Sequence, residues 1–481
     1  MDTLLIGGEW TGARDGKSFD KTDPFTGDPA GSAAAAGRED ARAAAEAAAK
    51  AFPEWAATPP AGRRELLQKA AALITERAQD IAAIVTEETG GTFGWGMFNC
   101  SLAAGMLGEA AAQTTAATGE IIPSNVPGLT AMGVRQPAGV VLGIAPWNAP
   151  VILGTRAIAS PLAYGNTVIL KASEVCPRTH AEIGRALADA GMPPGVVNVL
   201  THEADDAPDV VDELIAHPAV RRINFTGSTR VGRLIAENAA RHLKRVLLEL
   251  GGKAPLVVLP DADLDEAVAA AKFGAFMHQG QICMSTERVV VDRSVSGDFA
   301  SLLGEKAGAL KVGDPRDPET QIGPMVNAAA VERVSGLVKD AVDQGAQVVT
   351  GGEADGALFP PTVLTGVTAQ MKIYSEESFG PVVGLIEVDG ADEAVRVAND
   401  TEYGLAAAVF GRHVPTALDV ARRIESGICH VNGSTVHDEP QMPFGGAKAS
   451  GFGRFGGKAA IEEFTELRWI TIQEGSRHYP I

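Results

Sequence analysis

Cysteine is scarce in this sequence, and long apolar runs and an excess of basic charge are missing from it. Four cysteines in 481 residues, at positions 100, 176, 283 and 429, form no CxxC pair and are too scattered for a disulfide framework, so they are read as reduced thiols. No stretch reaches the roughly 18 unbroken apolar residues that a membrane helix needs. The opening MDTLLIGGEWTGARDGKSFD has neither the basic start nor the apolar run of a secretory signal. The expected location is therefore cytoplasmic, with no membrane partner. Lysine and arginine number 41 against 60 aspartates and glutamates, a net charge of −19 that opposes binding to nucleic-acid phosphates. The nine histidines form no HExxH and no His/Cys cluster at ligand spacing, so no catalytic metal is expected. Fixed-period repeats and charge blocks are missing as well.

What is there reads as an ordinary globular chain. With 45% hydrophobic residues it can bury a sizeable core, and its length suggests about three structural units. Residues 38–57 and 61–89 are alanine-rich with apolar positions three and four apart, which predicts amphipathic helices and a largely helical amino-terminal region. From residue 139 the texture changes to short apolar runs bounded by glycine and proline: GVVLGIAPWN, NTVILKASE, GVVNVL, RRINFTGS and RVLLELGGKAPLVVL. Such runs read as buried parallel strands. With the helical stretches 177–190 and 229–243 between them, they predict a Rossmann-type doubly wound α/β domain. A second alternating series after residue 260 predicts another α/β domain. The glycine-rich 442–457, MPFGGAKASGFGRFGG, reads as an irregular loop over a site.

Several residues carry chemical potential. Cys283 sits in GQICMS, a polar turn after a helical run, where a thiol can be partly exposed and activated; a lone cysteine is otherwise a small core residue. Glu249 ends an apolar run in LELGGK, placing a carboxylate at a strand terminus where it can act as a base. Asn148 in PWNAP lies between Pro146 and Pro150, which fix the loop so that its amide can face a developing oxyanion. FTGSTRVG, residues 225–232, follows a strand and opens a helix, which suits a phosphate, with Gly227, Ser228 and Gly232 at the turn. Lys171 and Glu174 in KASE end another strand, where they can meet ribose hydroxyls or simply be solvated.

PWN, KASE, FTGS, LELGGK, GQIC, EESFGPV and PFGGAKASGFGR occur in the order and spacing of the aldehyde dehydrogenase superfamily, across essentially the whole chain. Cys283 also follows Glu249 by 34 positions (283 − 249), as in that family. The resemblance implies Cys283 as nucleophile and Asn148, with the Cys283 backbone N–H, as oxyanion donors. It implies Glu249 as the base that activates water against the thioester. Lys171 would bind the adenosine ribose and Glu377 the nicotinamide ribose. Phe379 would flank the nicotinamide, Ser228 would meet the pyrophosphate, and Trp147 and Thr226 would line the cofactor cleft. A carboxylate at Glu174 accepts from a ribose 2′-hydroxyl and repels a 2′-phosphate, so NAD is expected, with NADP the weaker alternative.

The implied layout is an NAD-binding domain over 1–118 and 140–250, a catalytic domain over 251–450, and a small β oligomerisation element from 119–139 and 465–481. The tail strand LRWITI is expected to add to a partner's sheet edge, giving a homodimer or homotetramer. The carboxyl-terminal STVHDEPQMPFGG and the CMSTERVVVDR after the nucleophile are most similar to bacterial salicylaldehyde and vanillin dehydrogenases, which points to an aromatic aldehyde. Trp95, Met97, Phe98, Met106, Arg156, Ile282 and Met284 are the expected pocket residues. The alternatives are an aliphatic or semialdehyde dehydrogenase, a relative that passes the acyl group to CoA or phosphate, and a catalytically silent member of the fold.

Overall fold

The computed structural model describes residues 3–481. Its centre is an eight-stranded sheet whose five parallel strands lie side by side as Val197–Leu200, Thr167–Lys171, Val140–Ile144, Val220–Thr226 and Arg245–Glu249. In chain order this is 3-2-1-4-5, the doubly wound arrangement, and its switch point falls between Val140–Ile144 and Val220–Thr226. The strands are buried on both faces, which explains why they read as unbroken apolar runs. Val141 packs with the helices Phe93–Gln113 and Pro150–Ala163, whereas Val140, Leu142 and Ile144 pack with the helices Arg38–Ala57 and Ala207–Ala216.

A second sheet has six parallel strands in the order Thr362–Thr365, Val382–Val388, Thr286–Asp292, Ala254–Val258, Ala406–Phe410 and Ile428–Val431, with Gln347–Thr350 antiparallel at its edge. The apolar run RVLLELGGKAPLVVL divides between the two sheets. Arg245–Glu249 belongs to the first, Ala254–Val258 opens the second, and only Leu250–Lys253 connect them. The carboxyl ends of the first sheet's parallel strands therefore face the amino ends of strands in the second.

The structure departs from the sequence-based expectation in four places. The amino-terminal region is not all helical: Leu4–Ile6 and Glu9–Thr11 extend the first sheet, and Ser18–Thr22 pairs with Pro29–Ala34. These strands are too short to show periodicity and are specified by their partners. Residues 61–89 form two helices, Pro60–Glu76 and Ala78–Thr89, which part at Arg77 (φ −92°, ψ 9°) without a proline or glycine to announce the break. The stretch 442–457 is not wholly irregular, since Gly451–Phe452 adds an edge to the first sheet and Ala447–Lys448 pairs with Tyr403–Gly404. Finally, the tail strand Thr465–Gln473 pairs antiparallel with Leu129–Pro137 of its own chain, which in turn pairs with Glu120–Ile122. The hairpin of the same chain supplies its backbone partners, and only its other edge is open. Among the described residues no helix is long and apolar enough to cross a membrane.

Candidate active site

Strand ends converge where the two sheets meet. Trp147 and Asn148 follow the strand Val140–Ile144, Lys171 ends its strand and Glu174 follows it, Thr226 and Glu249 end theirs, and Cys283 lies just before Thr286–Asp292. Carboxyl ends of parallel strands at a switch point are where such sheets bind ligands, because the helices on either side diverge there.

The loop carrying Cys283 is held in an unusual conformation. After the helix Leu264–Phe276, His278 (φ 49°) and Gln279 (φ 56°) both adopt left-handed backbone, a costly state for residues with a side chain. Surrounding bonds enforce it. The Gln279 amide donates to the carbonyls of Gly90 and Pro324, at 3.0 and 2.9 Å. Ser285 Oγ donates to the Gly280 carbonyl, and the His278 ring stacks on Trp95 with centroids 4.7 Å apart. Asn148 Nδ2 donates to the carbonyl of Gln281 at 2.9 Å, and its own backbone carbonyl accepts from the Trp95 indole at 3.0 Å. The asparagine amide is thus anchored two residues from the thiol with one N–H engaged and one left to give.

Glu249 is 1% exposed, and both of its carboxylate oxygens lack a hydrogen-bond partner among the described residues. Burial pushes its pKa up to about 7, opposed by the adjacent Cys283 thiol and by Arg156. Burial and the Glu249 charge together hold the Cys283 thiol far above its ordinary range. The pair therefore rests as a protonated thiol beside a carboxyl able to change its charge near neutrality, which is the state a general base needs.

The two glycines of LELGGK are steric requirements. A Cβ on Gly252 would stand 2.3 Å from the Cys283 carbonyl oxygen, and one on Gly251 would stand 2.7 Å from Glu377 Oε2. Glu377 accepts a hydrogen bond from the Gly252 N–H at 2.8 Å, and burial followed by the Glu287 charge raises its pKa to about 8. The turn Glu377–Phe379 is fixed from beneath by a fully buried pair that no sequence motif announces. Lys253 Nζ lies 2.5 Å from Glu287, whose carboxylate also accepts from Ser378 Oγ and from the N–H groups of Ser378 and Phe379. Phe379, itself at φ 44°, meets Trp147 edge to face at 5.8 Å.

Beside this site lie residues that would suit a dinucleotide. Ser228 caps the helix Thr229–Arg241 by accepting from Val231 N–H, and the other first-turn N–H groups have no acceptor within the helix. Gly227 and Gly232 let backbone approach closely: a Cβ would meet the Phe225 ring at 2.5 Å in the first case and Leu250 at 2.5 Å in the second. Lys171 is 7% exposed, and burial lowers its pKa against the pull of Glu174. Burial pushes Glu174 up, but Lys171 and a backbone N–H outweigh it, so its carboxyl sits below its ordinary pKa and stays ionised. Helix amino terminus, buried ammonium and ionised carboxylate, on strand ends that flank Val140–Ile144, are a donor and acceptor set that fits pyrophosphate and ribose.

Cys283 and Asn148 also border a cavity of about 250 Å³. Trp95, Phe98 and Leu102, three and four residues apart on one helix, form one wall, with Ile282, Met284, Phe273 and Phe444 around them. Arg156 reaches the same cavity as a buried cation paired with Asp438. Two expected pocket residues do not line it. Met97 faces off the Trp95 stripe into the partly buried helix packing, and Met106, one turn beyond Leu102, borders a separate narrow cleft behind Arg156 and Phe444. Asp438, Phe444 and Phe273 were missed because each belongs to a segment distant in sequence, although the first two lie in the STVHDEPQMPFGG stretch.

The aldehyde dehydrogenase family model matches residues 10–470. The chain is 57% identical over 478 residues to the vanillin dehydrogenase of Pseudomonas fluorescens, covering 99% of each chain. It is 48% identical over 478 residues to the salicylaldehyde dehydrogenase of Pseudomonas putida, again with 99% of each covered. It superimposes with a TM-score of 0.98, at 47% identity and 99% coverage of both chains, on a crystal structure of a salicylaldehyde dehydrogenase from Pseudomonas putida G7 complexed with salicylaldehyde. A partly exposed thiol, a buried carboxyl beside it and a set of groups fit for pyrophosphate and ribose, joined to likeness over the full length, lead to one conclusion: the chain belongs to the aldehyde dehydrogenase family, oxidoreductases that act on aldehydes with NAD or NADP.

Proposed function

We infer that this chain oxidises aromatic aldehydes to carboxylic acids with NAD, through a thioester on Cys283. The observation that carries the reading is that Cys283 and Asn148 border a cavity walled by Trp95, Phe98, Phe273 and Phe444, with the Glu249 carboxyl buried beside the Cys283 thiol. Planar, apolar walls suit an aromatic ring, and the relatives named for vanillin and salicylaldehyde support the same class.

The work is divided among the residues at the cavity's reacting end. Cys283, which is partly exposed, gives up its proton to the medium and attacks the carbonyl carbon, and the free N–H of Asn148 meets the oxygen as it gains negative charge. Phe379 and Glu377 would hold the nicotinamide, which when bound would accept the hydride that leaves that carbon. The acyl group then remains on Cys283 as a thioester. Glu249, sealed from bulk water and ionised near neutrality, takes a proton from the attacking water, and the acid leaves as the thiol re-forms. Glu249 favours water as the acyl acceptor over CoA or phosphate.

Lys171 and Glu174 are assigned to the adenosine ribose, with Trp147, Thr226, Gly227, Ser228 and Gly232 along the rest of the dinucleotide. The Glu174 charge favours NAD because a 2′-phosphate would be repelled. Residues 1–118 and 140–250 serve as the NAD-binding domain, 251–450 as the catalytic domain, and 119–139 with 465–481 as the oligomerisation element. On that three-stranded sheet Leu467, Trp469 and Ile472 are 64%, 75% and 51% exposed along an open edge strand. An apolar open edge is the surface another copy would cover, so the enzyme is assigned as a homodimer or homotetramer. The test of substrate class is kcat/KM for benzaldehyde, salicylaldehyde, vanillin and a medium-chain aliphatic aldehyde, followed by NADH formation. The aromatic compounds are expected to lead, and an aliphatic winner overturns the reading.

A further inference from the structure

The wall of the substrate cavity is apolar except at two places. One is the reacting end, with Cys283 and Asn148. The other is Arg156 with Asp438 and its neighbour His437, whose Nε2 is taken up by Glu439. Arg156 comes from the second turn of the helix Pro150–Ala163, and Asp438 from the loop after Ile428–Val431. They form an ion pair with side chains only 6% and 10% exposed, and the guanidinium lies 4.1 Å over the Phe444 ring. Neither residue takes a step in the acyl chemistry, although both charges bear on Glu249. A buried ion pair is also a poor device for stability, since apolar residues of similar size often serve as well.

Its bonding is moreover incomplete. Asp438 Oδ2 accepts from Arg156 Nη2, whereas Oδ1 is buried with no partner among the described residues. A buried carboxylate oxygen without a donor is costly. Both features have one explanation if the ligand brings the missing donor.

Resting on the aromatic-aldehyde reading, we propose that Asp438 selects ring-hydroxylated aldehydes by accepting a hydrogen bond from the hydroxyl of the bound ring. Arg156 is the positioning residue that holds the carboxylate at the cavity wall. The terminal torsion of aspartate is soft, so a small rotation offers one oxygen to the ring while the other stays on Arg156. A methyl ether has no proton to give and leaves the carboxylate unpaired, as an unsubstituted ring does. An ionised phenol is disfavoured because it would set a second negative charge against Asp438.

The experiment compares kcat/KM of the full-length enzyme, read as NADH formation, for benzaldehyde, 2- and 4-hydroxybenzaldehyde and the corresponding methoxybenzaldehydes. One hydroxy isomer is expected to exceed both its ether and benzaldehyde by about 10- to 100-fold, the usual range for a hydrogen bond to a charged group. Asp438→Asn keeps its amide oxygen on Arg156 and turns an NH2 toward the ring, so the hydroxyl-to-ether ratio should fall to one or below. A thermal melt establishes that the variant is folded, and if it is not, the wild-type series decides alone. Hydroxy aldehydes no better than their ethers in the wild type overturn the proposal, as does an Asp438→Asn ratio unchanged from wild type. An aliphatic substrate ahead of the whole series sinks the aromatic reading itself, whereas aromatic substrates that lead without a hydroxyl preference remove only the role of Asp438.

Discussion

Glu249→Gln should slow the enzyme and stabilise it at alkaline pH, because one property of the site underlies both effects. The Glu249 carboxyl is 1% exposed with both oxygens unpartnered, and burial carries its pKa from the ordinary 4.5 to about 7. The folded state thus holds this proton more tightly than the unfolded chain does. Its contribution to stability is complete below the unfolded pKa and is lost as pH rises through the folded one. At pH 8 the folded wild type carries a buried charge, only partly offset by the Cys283 thiol and Arg156, that costs about 3 kcal/mol, since each tenfold change in proton affinity between the folded and unfolded chain is worth roughly 1.4 kcal/mol. Glutamine removes that titration, so the variant should melt at a higher temperature than wild type at pH 8, and the difference should shrink toward pH 5. Kinetics should move the other way. Hydride transfer needs no base at this position once the thiol has attacked, so a stopped-flow trace should keep a burst of up to one NADH per site. The steady state behind it should fall about 100- to 10,000-fold, the usual worth of a general base. The wild-type steady state should rise about tenfold from pH 6 to pH 8 as the ionised fraction of Glu249 grows, and the variant should lose that limb. A variant less stable than wild type at pH 8, or one whose turnover is within a few-fold of wild type, refutes the reasoning.

Four further outcomes are expected. Asn148→Ala should lose roughly 100- to 1,000-fold in kcat by removal of one oxyanion donor, with NAD affinity, measured by fluorescence titration, little altered. Glu287→Gln leaves Lys253 buried without a counter-charge and loosens the turn at Ser378 and Phe379; a loss of about 3–5 kcal/mol in denaturant unfolding and a raised KM for NAD should appear together. Glu174→Gln should raise kcat/KM with NADP relative to NAD by roughly tenfold, and an unchanged ratio would remove that residue from cofactor choice. Gel filtration with light scattering should give at least twice the 49.8 kDa chain mass, and a Trp469→Lys, Leu467→Lys double variant should shift it toward one chain.

Where sequence order carries the information, the site was legible. Cys283, Glu249 and Asn148 stand in short motifs whose flanking glycines and prolines have local physical reasons, and the structure supplies those reasons: Gly251 and Gly252 leave room for Glu377 and for the Cys283 carbonyl. The parallel strands were equally readable, because burial on both faces makes them continuous apolar runs. Legibility failed where a partner distant in sequence decides the outcome. Lys253 looked like the last letter of a motif, and only its placement 2.5 Å from Glu287 shows that it supports the Phe379 turn. Arg156 could be named as a pocket residue, but its counter-charge Asp438 lies 282 positions away and nothing in its own stretch of chain points to it.

The sequence by itself determined the family and the alternation of strands and helices, and singled out Cys283 as the candidate nucleophile, since these rest on local pattern and on motifs short enough to be complete within a few residues. The tertiary structure alone decided which residues close the substrate cavity, that the run 245–259 serves two sheets, and that the tail pairs first with its own hairpin. Those are matters of long-range packing and pairing, in which the energy of a residue depends on neighbours that its own stretch of chain does not contain.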